Sequence, residues 1–362
     1  MHRRRTIRWA LALVAVLLLV TAGCGADAGS STVAPAATGT LVDIGAGLSG
    51  PSGLVATVYS QGPTDVSTFA LDPSGRLWLA TANSTDGGAD GVYLVPESGA
   101  TPVEVITGLH TPLGLLWIGD TLYVSSKELV EAYSGFDGTA FAEHHTVLTL
   151  PSGVGESNGI VLSPDGRIVL GISSPCDSCT PTLAPSAAVV SFRPDGTDLQ
   201  VVASGIRAPV GLTYYPGTDD LFVTMNQRDD LGDATPGDWL AVVEQGQDWG
   251  FPDCYGQGGD ACTGAPSPVA ELDAHAAVSG VAITTGRLGS SIGASAFVAE
   301  WATGSVQRVA LTHDGTTYTG TTSTFLTGLS NPVPLITAAS GSLLVGDWTT
   351  GTIYEIATAS SS

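Results

Sequence analysis

Positive charge is scarce in this chain: 12 Lys and Arg stand against 34 Asp and Glu in 362 residues. Four of the basic residues, Arg3, Arg4, Arg5 and Arg8, precede an apolar run from Trp9 to Val20. That run is too short for a resident membrane span and has the build of a secretory signal. Without residues 1–23 the chain keeps 8 basic against 34 acidic residues, a net of −26. A surface of that sign repels nucleic acid and anionic lipid headgroups, which excludes both as expected partners. Amphipathic helical periods are missing too. The 47 Gly and 21 Pro recur too often for long helices, and the apolar period stays close to two, as in strands.

Cysteine is limited to five residues. Gly23-Cys24 resembles a bacterial lipobox, so Cys24 is the expected lipidation site and residues 1–23 a lipoprotein signal peptide. The segment 24–39 is rich in Ala, Gly, Ser and Thr and reads as a tether, leaving 40–358 as one domain. Membrane contact is then expected through the lipid anchor only, on the outer face of the cell membrane. The other four cysteines form two close pairs. In an oxidising compartment these predict the disulfides Cys176-Cys179 and Cys254-Cys262. No His stands beside either pair to complete a zinc site, and no βαβ pattern surrounds the C-x-x-C as a redox motif would want.

What is present in quantity is a repeat. Segments such as LDPSGRLWLATANS (71–84), LSPDGRIVLGISS (162–174) and AASGSLLVGDWTTG (338–351) share a Gly, Asp or Pro turn, an alternating strand and a polar end. Taking Leu79, Val124, Leu170, Val223, Val298 and Val345 as equivalent gives intervals of 45, 46, 53, 75 and 47 residues. Such a period with short strands predicts an all-β, six-bladed β-propeller. A second motif, TGLHTPLGL (107–115), SGIRAPVGL (204–212) and TGLSNPVPL (327–335), delivers a strand into a blade. Residues 53–60 are the candidate to close the ring against the last blade. The long fourth interval predicts an inserted loop region at about 226–275.

That interval begins with the densest polar stretch in the chain. Asn226, Gln227, Arg228, Asp229, Asp230, Asp233 and Asp238 fall within thirteen residues of a protein that is 13% charged. Strand-end loops of a propeller surround its channel, where ligands bind.

The run Asn226-Gln227-Arg228-Asp229-Asp230-Leu231-Gly232-Asp233, with Pro236-Gly237-Asp238-Trp239-Leu240 and Asp248-Trp249-Gly250-Phe251-Pro252, resembles the glucose/sorbosone dehydrogenase family, closest to its L-sorbosone-dehydrogenase-like branch. The resemblance extends over about 145–356. Arg207-Ala208-Pro209-Val210-Gly211-Leu212 sits where the family has R-N-x-x-G-L, and Ser163-Pro164-Asp165-Gly166 where it has G-P-D-G. Cys176-Asp177-Ser178-Cys179 follows S-C-N-x-C, Ala274-His275 the A-H element and Val298-Ala299-Glu300 the V-A-E-H. The family implies a six-bladed propeller that uses pyrroloquinoline quinone (PQQ) and calcium to oxidise an aldose or related sugar outside the cytoplasm. Carried over residue by residue, this makes Arg207, Asn226, Gln227, Arg228 and His275 candidate cofactor contacts. Asp229, Asp233 and Asp238 are then the candidate calcium ligands, since calcium takes oxygen donors.

Departures fall at working positions. The family's base, a His, is Gly155 here, so the neighbouring Glu156 is the candidate catalytic residue; a carboxylate serves as a base near neutral pH when burial raises its pKa. The family's quinone-binding Asn is Ala208, and a cationic position is Asn331. Trp239 and Trp249 replace tyrosines and have no oxygen to give a metal. The alternative is a non-catalytic propeller that binds a sugar, glycan or protein, with Trp239, Trp249, Trp301 and Trp348 as stacking candidates. A hydrolytic propeller with a central metal would draw on Asn158 and Asp347.

Overall fold

The computed structural model describes residues 39–85, 87–255 and 262–359. The expected signal peptide, Cys24 and the tether up to residue 38 lie outside them. Each of the six turn-strand segments becomes the second strand of a four-stranded antiparallel blade. These strands are Leu77–Thr81, Thr121–Ser126, Ile168–Ile172, Leu221–Met225, Ala294–Glu300 and Leu343–Asp347. They are buried along almost their whole length, because both faces of each blade pack on a neighbour.

First strands run Val66–Leu71, Gly114–Ile118, Ser157–Leu162, Pro209–Tyr214, Val278–Thr285 and Pro332–Thr337. The register is the same in every blade. Leu79, Val124, Leu170, Val223, Val298 and Val345 pair with Phe69, Leu115, Ile160, Leu212, Val281 and Leu335. Those six partners form an apolar plug across the axis, between a chamber of ≈ 120 Å³ and a funnel of ≈ 380 Å³ on the other side. The first strands come so close around the axis that Gly159, one residue before the plug, has no room for a side chain: a Cβ there would lie 2.6 Å from the Val210 carbonyl of the next blade.

Six buried clusters sit one at each junction between blades, for example Trp78, Val92, Leu115 and Val124 between blades one and two. Polar latches repeat beside them. Ser67 Oγ donates to Pro112 O (2.6 Å), Asn158 Nδ2 to Pro209 O (2.9 Å), Thr224 Oγ1 to Ser279 O (2.7 Å) and Trp348 Nε1 to Ala82 O (3.0 Å). Asn158 is therefore a latch. Asp347 accepts from the backbone N–H of Ser330 and Thr350 in its own blade's loops. The ring closes where Leu54–Gln61 pairs with Thr352–Thr358 as the outer strand of blade six.

The described residues of the 226–275 interval form several framework pieces. They hold a 3-10 turn (Gly232–Ala234), blade four's third strand (Trp239–Val243) and its outer strand (Ala270–Glu271). Between these, Gln247–Asp248 pairs in parallel with Ala203 and Ser204 and so straps blade four to blade three. Trp249 stacks on Trp239 with centroids 4.5 Å apart, both buried, which ends their role as stacking candidates for a sugar. Both expected disulfides, Cys176–Cys179 and Cys254–Cys262, are formed.

Candidate functional site

The end of each second strand lies beside the start of its first strand, as in the pairs Val66–Thr81, Ser157–Ile172 and Pro209–Met225. Loops entering the first strands and leaving the second strands therefore share one face. The candidate catalytic, cofactor and metal residues fall on it. A cavity of ≈ 550 Å³ opens there among blades two, three and four. Its walls are Lys127 and Glu128, Gly155 and Glu156, the Ser174–Asp177 loop, Arg207 and Ala208, and Asn226.

Arg207 enters blade four just ahead of its first strand and keeps 18% of its side chain exposed. Its Nη2 pairs with Asp177 Oδ1 at 2.7 Å, Nε donates to the Asp177 carbonyl at 3.0 Å, and Nη1 donates to the Asn226 carbonyl at 3.2 Å. Asp177 lies inside the small ring closed by Cys176–Cys179, and its carboxylate also accepts from the backbone N–H of Asp229 and Asp230, each at 2.9 Å. One carboxylate thus joins three cavity-forming segments. Asn226 Oδ1 is buried without a hydrogen-bond partner. Glu156 is exposed at the rim, and its carbonyl accepts from Ser173 N at 3.0 Å.

The family's base position is rebuilt. Gly155 has φ +112°, and a Cβ there would overlap the Ser173 carbonyl, so no side chain fits. Ala208 is buried and its carbonyl accepts Asn226 N. Asn331 Nδ2 donates to the Trp301 carbonyl (2.8 Å) and Oδ1 accepts from Thr349 Oγ1 (2.6 Å), so this side chain ties blade five to blade six.

The other predicted residues are near the cavity without joining it. Arg228 is held bidentately by Asp230 (2.6 and 2.7 Å), donates to Pro252 O and lies 4.9 Å above the Tyr255 ring. Gln227 turns its Oε1 to Arg228 N and its unpartnered Nε2 into a small interior space beside Trp249. His275 has φ +58° and sets Nδ1 2.7 Å from Asp229 Oδ1 and Nε2 3.0 Å from the Gly232 carbonyl. Both neighbours are acceptors, and the hydrogen bond that His275 donates to Asp229 raises the His275 pKa.

The three candidate calcium ligands do not converge. Asp238 is buried; its Oδ1 accepts Gln227 N (2.7 Å) and its Oδ2 accepts Val278 N (3.2 Å). Burial pushes its pKa up to about 6. Asp90 makes the same clamp in blade one, accepting Asn83 N and Thr111 N, so Asp238 belongs to a repeated structural device. Asp229 is taken by His275, and Asp233 is exposed on the 3-10 turn. Among the described residues no three His, Cys, Asp or Glu side chains are placed to hold a metal. These aspartates do not fit a calcium ion. PQQ is better served in size: the cavity falls within the roughly 300–1,000 Å³ usual for small-ligand sites, and its wall carries the cations Lys127 and Arg207 beside the carboxylates of Glu128, Glu156 and Asp177. Sequence reasoning missed Lys127, whose signal was that it is the chain's single lysine, and missed Asp177 as the partner of Arg207.

No protein-family model and no curated protein sequence matches the chain. Solved structures do. A Trichoderma reesei carbohydrate-active enzyme of family AA12 superposes with TM-score 0.72 at 18% identity, covering 86% of this chain and 97% of that one. The PQQ domain of Coprinopsis cinerea pyranose dehydrogenase, in its holo form, gives 0.69 at 16% identity, with 86% and 97% covered. The PQQ-bound aldose sugar dehydrogenase of Streptomyces coelicolor gives 0.67 at 20%, with 85% and 99% covered. The chain thus has the six-bladed propeller fold of soluble PQQ-type sugar dehydrogenases. The glucose/sorbosone dehydrogenase resemblance read from its motifs points to the same fold.

Proposed function

We propose that the protein is a PQQ-dependent dehydrogenase of a neutral aldose or related sugar, acting outside the cytoplasm and tethered through a lipidated Cys24. The observation that carries this reading is the cavity beside Arg207 and Lys127, into which Asn226 and Glu156 also face, on a fold shared with PQQ-bound sugar dehydrogenases. When bound, the quinone supplies a two-electron acceptor. Arg207 and Lys127 would oppose its carboxylates, as cations do for polyanionic ligands. Glu156, exposed at the cavity rim and not buried as the sequence reading required of a carboxylate base, would be the group to take the proton of the hydroxyl being oxidised. Calcium is left out of this reading, because Asp229, Asp233 and Asp238 stand apart.

The test is reconstitution of the purified protein with PQQ, followed by calorimetry and by dye reduction across a panel of aldoses. Quinone binding with sugar-dependent dye reduction is expected, and Glu156→Gln should lower kcat more than it raises KM. Absence of quinone binding sinks the reading.

A further inference from the structure

The Arg207 guanidinium carries five N–H donors. Asp177 takes two of them through its carboxylate and its carbonyl, and Asn226 O takes a third. The hydrogen-bonding edge made by Nε and Nη2, the one that suits a bidentate carboxylate, is therefore filled from within the chain. The lining as a whole has two cations, Lys127 and Arg207, against three carboxylates, Glu128, Glu156 and Asp177. Asp177 also stands at the Asn position of the S-C-N-x-C pattern, where an amide would leave the arginine's charge unbalanced.

We propose that Asp177 determines what this cavity accepts: it is an internal counter-ion that competes with a ligand's carboxylate for Arg207. The inference rests on the quinone reading for its natural ligand but concerns any polycarboxylate. With Asp177 in place the cavity admits a neutral sugar freely and a polycarboxylate only against this competition. The disulfide ring and the N–H groups of Asp229 and Asp230 hold the carboxylate in position, so it does not swing away without loosening the opposite wall. A single substitution, Asp177→Asn, removes the charge and keeps an oxygen that can still accept from Arg207.

The experiment titrates wild type and Asp177→Asn with PQQ, with citrate as a probe tricarboxylate, and with glucose. The variant is expected to bind both polycarboxylates about tenfold more tightly at low salt, since a like charge beside the ligand is gone. That gain should shrink at about 1 M salt, where charges are screened. It should be smaller in an Arg207→Gln background, where the guanidinium to compete for is gone, which a merely structural role for Asp177 does not predict. Glucose binding should not change. A gain for citrate without any PQQ binding supports the counter-ion and sinks the quinone reading. Equal or weaker polycarboxylate binding by a variant of unchanged Tm overturns the counter-ion and leaves the quinone reading standing. No polycarboxylate binding by either protein overturns both.

Discussion

Single residues carry two kinds of work on the site face, and position in the chain does not separate them. Gly155 occupies the place of a base yet is fixed by backbone geometry, with φ +112° and the Ser173 carbonyl where a Cβ would go. Gly155→His is therefore expected to cost about 1–3 kcal/mol through backbone strain and to give no gain in sugar oxidation. Chemical denaturation beside a turnover assay checks this, and a stable variant with raised activity contradicts it. His275 faces two acceptors, Asp229 Oδ1 and Gly232 O, so both ring nitrogens must be protonated to satisfy them. Its folded-state pKa is raised above the ordinary 6.5. The pinning of the 229–234 loop is thus fully present below 6.5 and lost as pH rises through the folded pKa. Proton NMR titration of His275 and proteolysis of this loop across that window test it. A His275 pKa at or below 6.5 refutes it.

At the scale of elements, the strap Gln247–Asp248 and the Trp249 that follows it add a backbone pairing and a buried aromatic to the junction of blades three and four. Trp249 is buried in the cluster between blades three and four and stacked on Trp239. Trp249→Ala is expected to cost about 3–5 kcal/mol, the range for deleting a buried large aromatic. Denaturant midpoints measure it; a loss below 1 kcal/mol, roughly that of a surface change, rules out the strap as a stabilising element. Much of this level was legible in advance. The six marker residues fall on six second strands in one register, because a Gly, Asp or Pro turn followed by a period of two fixes both strand and face. The strap was not legible. Its two residues have no strand period of their own, and the parallel pairing with Ala203 and Ser204 exists only once the blades are docked.

The propeller domain is a closed ring with an apolar plug, and the chain has an excess of negative charge. Without its first 23 residues the chain carries a net of −26, so like charges repel across its surface. Raising NaCl from about 10 mM to about 0.5 M screens that repulsion and is expected to raise Tm. A Tm that stays level or falls goes against it. The same acidity leaves few cations to define a site, and at the cavity wall only Arg207 and Lys127 remain.

By itself, the sequence determined the all-β class, the number of blades, the closing strand and the two disulfides. Each of these follows from local periods, turn residues or short separations along the chain. Tertiary structure alone decided which polar groups meet. Arg207 finds Asp177 at a separation of 30 residues, Asp238 reaches Val278 N across 40, and Lys127 comes from a different blade to the same cavity. Such contacts depend on how neighbouring blades dock around the axis, and the repeat specifies the blade more closely than the loops that face one another above it.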